Sequence, residues 1–413
     1  MTEADAPPDP RVRARRAEIR QLTGVRFVAA VWVVLYHFQF MIFGLVPELH
    51  PVGFLFDSGY LAVDLFFALS GYIIAYQYLA AFPGGRGTPG QYRRFLIKRL
   101  ARIYPLQFVT LLIAIAVIVT GVLMGVTIPY PESFTVWGAI QDLLLIRGWE
   151  PFPHQGWNFP AWSLSAEWFA YLLFPAVALL VGAARRARGR SGAGRGAGRV
   201  GLLLVLLGCL ALEGLGAWLL PSFNGMPHPL VRVVAGFVAG AAVFALGAPR
   251  IRPGILAGVG LLALALLITT AGRIDLDPAR AVVALLLAGV VVAGLAGGGG
   301  PGIRWLASGP LEYGGRISYG IYMIPGIVLM VSGALLASLV QTVPQEVVLQ
   351  WPVIARVGLL MIPFAVVLGL GALLYHVVER PAQRRVGALA DRVGRPASAA
   401  VASPSTPEPS AGP

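Results

Sequence analysis

Arg26 and His37 lie eleven residues apart inside one apolar run, residues 22–43. A run of that length reads as a membrane-spanning helix. Ionisable groups within one are costly, so they face the bundle interior or a wet cavity. At 100° per residue the two side chains come within about 20° of one face, about 16 Å apart along the axis. Asp64, in GYLAVDLFFALSGY, opens a second apolar run, and Glu167, in PAWSLSAEWFAYLLFP, sits in the outer third of a fourth. Ser163, Glu167 and Tyr171 recur at i, i+4 and i+8, a polar stripe on one helix face. Arg99 and Arg102 lead into the third run. The layout sets His37, Asp64 and Glu167 at similar depth in the outer half, with Arg26, Arg99 and Arg102 at the inner edge.

A histidine that titrates near neutrality beside carboxylates suits a general base. A cluster of arginines suits phosphate or nucleotide binding. One face of the first helix would then connect an anionic ligand to a proton-handling group. The same residues also fit structural roles. His37 can be a hydrogen-bonder in the bundle, and Arg26 can snorkel to the interface. Asp64 can cap a helix or pair with an arginine, and Arg99 and Arg102 can serve as topology charges. Glu213 reads as a carboxylate paired in the core, and His376 and Glu379 as structural groups near the inner interface.

The elements that must position these groups follow from composition. The chain has 413 residues, 57% hydrophobic and only 12% charged, against about 25% charged in soluble domains. This excludes an ordinary soluble enzyme and defines an all-α, polytopic membrane bundle. Ten spans are expected, near 22–43, 60–80, 104–126, 161–183, 200–220, 231–248, 254–271, 280–297, 317–340 and 353–378, the ninth carrying Pro325 within it. The lone Cys209 excludes a disulfide framework, and the five scattered histidines form no close metal-ligand pair, so no metal is expected. The polar N-terminus lacks the apolar core of a signal peptide.

The net charge is +13, with 32 basic residues. On a soluble protein this would point to nucleic acid; here it reports topology, and no nucleic-acid partner is expected. With the N-terminus inside, 26 of the 32 basic residues fall in inner segments and five (Arg147, Arg232, Arg273, Arg280, Arg356) in outer ones, Arg26 being intramembrane. That asymmetry places both termini in the cytoplasm. The domain reading is a basic cytoplasmic segment over 1–20, a ten-helix membrane domain over 21–382 with an Arg/Gly-rich cytoplasmic loop at 184–199, and a disordered cytoplasmic tail over 383–413. The outer stretch 127–160 is expected to lie over the mouth of the bundle.

Six stretches, taken in order, resemble the integral-membrane acyltransferase 3 family. LTGVRFVAAVWVVLYHF carries the Arg, ten residues, then His of its first helix. GYLAVDLFFALSGYIIA is similar to its second-helix motif, RRFLIKRLARIYPLQ to its basic Arg-x-x-Arg loop, and PAWSLSAEWFAYLLFP to its Trp-Ser-Leu-x-x-Glu helix. SYGIYMIP and VERP match the late helices more loosely. The resemblance spans residues 20 to about 382. It implies a ten-helix enzyme of the inner (plasma) membrane that takes acyl-CoA, acetyl-CoA first, from the cytoplasm and acylates a hydroxyl, usually on a sugar. It also implies His37 in catalysis and Arg26, Arg99 and Arg102 in donor handling. Glu167 is expected to orient or charge-stabilise His37, with Asp64 and Ser163 in support. One departure is that the late motif commonly ends Tyr-Leu-x-His, and Pro325 stands at that histidine.

Two readings from other classes compete. A proton-coupled transporter or flippase of a glycan or small metabolite needs the same intramembrane groups. Carriers, however, often show repeats and paired broken helices, and no repeat is visible here. A non-catalytic subunit of an envelope polysaccharide assembly is the other.

Overall fold

The computed structural model describes residues 10–128, 131–150, 156–186, 194–220, 228–247, 251–297 and 301–393. Among these there is no strand. The helices are α1 (Pro10–Leu45), α2 (Phe54–Asp57), α3 (Ala62–Tyr78), α4 (Pro89–Leu123), α5 (Val136–Leu144), α6 (Ala161–Leu172), α7 (Phe174–Arg186) and α8 (Gly194–Leu219). They continue with α9 (Pro229–Leu246), α10 (Pro253–Thr269), α11 (Asp277–Gly297), α12 (Gly309–Met323), α13 (Pro325–Thr342), α14 (Gln345–Leu349), α15 (Val353–Leu374) and α16 (Arg380–Val393).

Among the described residues, eight helices are long and apolar enough to cross a membrane, and up to ten spans result when two bent pairs each count as one. The bent pairs are α6–α7, turned by 58°, and α12–α13, turned by 61°. Pro325 begins α13, and its ring cannot continue the helix that ends at Met323. Pro175, second in α7, does the same to the fourth span. The protein is therefore a multi-pass membrane protein.

Small residues bring the backbones together, as membrane bundles require where hydrophobic burial supplies no drive. A Cβ on Gly71 of α3 would collide with the Phe237 carbonyl of α9, and one on Gly240 of α9 with the Ala68 carbonyl of α3. Phe237, Leu65 and Leu69 are fully buried at this seam, while Leu123, Leu204 and Ile354 project outward, where lipid lies.

Two expectations change. The chain beyond 382 is not all disordered, because α16 continues to Val393 and packs on α4; residues 394–413 lie outside the described residues. The basic N-terminal segment, whose secondary structure the sequence left open, is helical from Pro10, in one piece with the first span. The Arg/Gly-rich loop is short, with α7 reaching Arg186 and α8 starting at Gly194; residues 187–193 lie outside the described residues.

The outer arginines are more than topology charges. Arg147 is buried against Asp142 and the Gly138 carbonyl, Arg232 against Asp64, and Arg356 against Glu48 and the Leu45 carbonyl. Arg273 stacks 3.7 Å above the Phe54 ring.

Candidate active site

His37 lies on the C-terminal half of α1. Its Nδ1 is 2.7 Å from the Val33 carbonyl one turn back. A carbonyl can only accept, so Nδ1 carries the proton and Nε2 of the neutral ring keeps its lone pair. Nε2 is buried and, among the described residues, has no hydrogen-bond partner. The ring stands edge-on to Tyr36 at 5.3 Å and to Phe159 at 5.0 Å.

Phe159 comes from the outer stretch, which several bonds pin in place. Asn158 donates to Thr110 at 2.8 Å, and Trp157 donates to the Thr135 carbonyl at 2.8 Å. Arg147 fills the space beside Gly156 and holds Asp142. Burial pushes the Asp142 carboxyl up, and the Arg147 guanidinium opposes that. Phe159 also reaches the break in the ninth span, its Cβ lying 3.7 Å from where a Cβ on Gly326 would stand. The described part of the stretch packs against the helices, and it delivers an aromatic side chain to His37.

The second cluster surrounds Arg26. Its guanidinium is within electrostatic reach of Arg102, Glu167, Tyr171 and Glu379, and its Nε is buried with no partner. Glu167 accepts from Ser70 and from Tyr171, each at 2.5 Å. Arg102 pairs with Glu379, which also accepts from Gln383 at 3.0 Å. Arg99 donates to Tyr78 at 3.2 Å and Gln77 at 3.3 Å and lies over the Tyr78 ring, leaving its own Nε buried and unpartnered. Tyr319 of α12 closes the cluster by donating to the Ile103 carbonyl at 2.5 Å.

The structure therefore brings Arg26, Arg99, Arg102 and Glu167 together and leaves His37 apart. This corrects the expected pairing. His37 Nδ1 bonds the Val33 carbonyl, Nε2 has no partner among the described residues, and Glu167 is held by Ser70 and Tyr171, so the carboxylate does not orient the imidazole. Equal depth did not imply contact, because rotation about each helix axis turns Glu167 toward Ser70.

Asp64 also stays away from His37. It holds Arg232 through two bonds, 3.0 and 2.9 Å, and both side chains are buried. Buried Glu213 lies within electrostatic reach of that pair. Ser163 is 2.6 Å from the Tyr322 hydroxyl and ties α6 to α12.

Sequence reasoning missed Glu379 and Phe159. The signal for Glu379 was the VERP motif, but its role depends on a π-helical turn over Tyr375–Glu379. That turn shifts the register, so Glu379 points inward while Val377 is exposed. No sequence signal singles out Phe159. Among the described residues no three His, Cys, Asp or Glu side chains gather as a metal site would require.

Within the all-helical bundle, His37 and the Arg26 cluster are thus two separate groups of buried polar side chains. A family model described as an acyltransferase domain matches residues 19–373, and the chain belongs to that family, acyltransferase 3. It is similar to the acyltransferase MdmB of Streptomyces mycarofaciens, at 29% identity over 391 residues, covering 90% of this chain and 94% of that one. It is also similar to a Rhizobium radiobacter protein named "protein 2 in picA locus", at 39% identity over 156 residues, covering 35% of this chain and 75% of that one. No solved structure is a significant match. The protein is an acyltransferase, and this sets the carrier and subunit readings aside.

Proposed function

We propose that the enzyme moves a short acyl group, acetyl first, from acyl-CoA to a hydroxyl of a carbohydrate-containing acceptor at the inner (plasma) membrane. The acceptor class is an envelope glycan or a glycosylated secondary metabolite. The observation that carries this reading is the buried, unpartnered Nε2 of His37. As the acceptor oxygen bonds to the thioester carbonyl carbon, its proton passes to Nε2. Collapse of the tetrahedral centre breaks the C–S bond, and the CoA thiolate takes the proton back from the imidazolium.

Arg26, Arg99 and Arg102 are assigned to the donor's phosphates. Two buried guanidinium Nε atoms without partners support this, because an anionic ligand would satisfy them. Glu167, locked by Ser70 and Tyr171, is read as the counter-charge that positions Arg26 rather than as a partner of His37. Asp64 and Ser163 act further out, by fixing the helices that frame the site.

Membranes containing the protein, incubated with radiolabelled acetyl-CoA and total glycan acceptors, should release free CoA and move label into a carbohydrate product. Stable acetyl-CoA in the presence of folded protein and a broad acceptor set would sink the donor assignment.

A further inference from the structure

We propose that α8, α9 and α11 form a binding cleft for one tail of an anionic phospholipid, separate from the acyl-transfer site. The cleft has a volume of about 420 Å³, within the roughly 300–1,000 Å³ of ligand pockets. Its walls are Leu203, Leu206 and Leu210 of α8, Val243 of α9, and Leu285 and Val290 of α11. The floor, which includes Tyr72 of α3, Ala239 and Ala296, is buried, while Leu203 and Leu286 on the rim are about half exposed. The opening therefore faces sideways, into the bilayer.

Length and chemistry select the occupant. The α8 wall runs from Arg199 to Leu210, about 16 Å of helix. That is about half of the ~30 Å hydrocarbon core, one leaflet's depth. Arg199 stands at one end with Gly247 and Gly297, the last residues of the neighbouring walls. Apart from Tyr72 and Arg199 the lining offers no polar side chain, so water has few partners there. A hydrocarbon tail gains close contacts along the whole cleft. Among the described residues, no hydrogen bond or ion pair engages Arg199. A single cation at the mouth of an apolar cleft at the bilayer interface complements a phosphate head group.

The site is distinct from the acyl-transfer site because α3 stands between them. Tyr72 faces the cleft, and Ser70, two residues earlier, bonds Glu167 on the other side.

The test uses the purified full-length chain in neutral detergent, titrated with dipalmitoyl phosphatidylglycerol or dipalmitoyl phosphatidylcholine and read by native mass spectrometry. Wild type should prefer phosphatidylglycerol by about five-fold, the contribution of one interfacial cation. Arg199→Glu, on the exposed rim, should lose that preference and keep phosphatidylcholine binding. Gly289→Phe should weaken both lipids, because a side chain at Gly289 enters open space in the cleft and meets no atom within 4 Å at its Cβ. Unchanged preference in Arg199→Glu overturns the proposal, as does undiminished binding of both lipids by folded Gly289→Phe. Displacement of the bound lipid by equimolar palmitoyl-CoA would instead assign the cleft to the donor's chain and overturn it too. Arg199→Glu leaves the packed core untouched, so the test stands even if Gly289→Phe does not fold.

Discussion

His37 donates through Nδ1 to the Val33 carbonyl, 2.7 Å away and one turn back on the same helix. The helix itself fixes the tautomer, with no carboxylate involved. That isolates one basic atom, Nε2, with Phe159 beside the ring, and it separates the roles of the two clusters.

His37→Ala should lower kcat by about 10²–10⁴-fold, the usual cost of a lost general base, with unchanged melting temperature. Glu167→Gln should cost less and leave the pH profile of kcat in place, because Glu167 does not touch the imidazole. Steady-state kinetics of the purified variants across pH checks both; near wild-type turnover in His37→Ala would make the histidine structural.

Remote phosphate contacts act mainly as binding. Arg99→Ala and Arg102→Ala should therefore raise the KM for acyl-CoA with a smaller fall in kcat, and the effect should shrink at high salt. Direct CoA binding to the double variant gives the decision. Affinity equal to wild type at low salt would leave these arginines as structural partners of Glu379 and Tyr78 only.

Removing one partner of a buried ion pair typically costs about 3–5 kcal/mol. Arg232→Ala strands Asp64 close to Glu213 and should lower the melting temperature sharply. Asp64→Asn combined with Arg232→Gln should recover much of the loss. A double variant no more stable than Arg232→Ala would contradict the ion-pair account.

The Arg356 guanidinium beside Glu48, 2.5 Å away, holds the Glu48 carboxyl below its ordinary range. A carboxyl lowered on folding stabilises fully above the unfolded value, about 4.3, and loses that contribution as pH falls through the lowered one. Thermal melts from pH 6 down to 3 should fall more steeply for wild type than for Glu48→Gln; parallel curves would count against the coupling.

Both termini are expected in the cytoplasm, from the basic-residue asymmetry. Alkaline phosphatase fused after residue 390 should be inactive, and fused near Glu150 it should be active. The opposite pattern would invert the site.

Much was determined by the sequence alone. Bilayer thickness fixes how long an apolar helix must be, so hydropathy marked the spans, and Pro325, noted within the ninth, stands where that span bends. The helical repeat placed Arg26 and His37 on one face of α1. Chemical type flagged Arg99 and Arg102 as candidate anion binders and Glu167 as an intramembrane carboxylate, and the structure gathers them with Arg26.

Tertiary structure decided who meets whom. Periodicity gives a side chain's depth and its face, but the rotation of each helix against its neighbours comes from packing. Close approach of α3 and α9 at Gly71 and Gly240 seats Asp64 against Arg232, and the facing of α3 and α6 turns Glu167 toward Ser70. Arg102 and Glu379 stand 277 residues apart, joined through a π turn that no local pattern announces. Phe159 reaches His37 only because bonds from Asn158 and Trp157 fold the outer stretch inward. Such contacts depend on several helices at once, and a linear pattern read one helix at a time does not contain them.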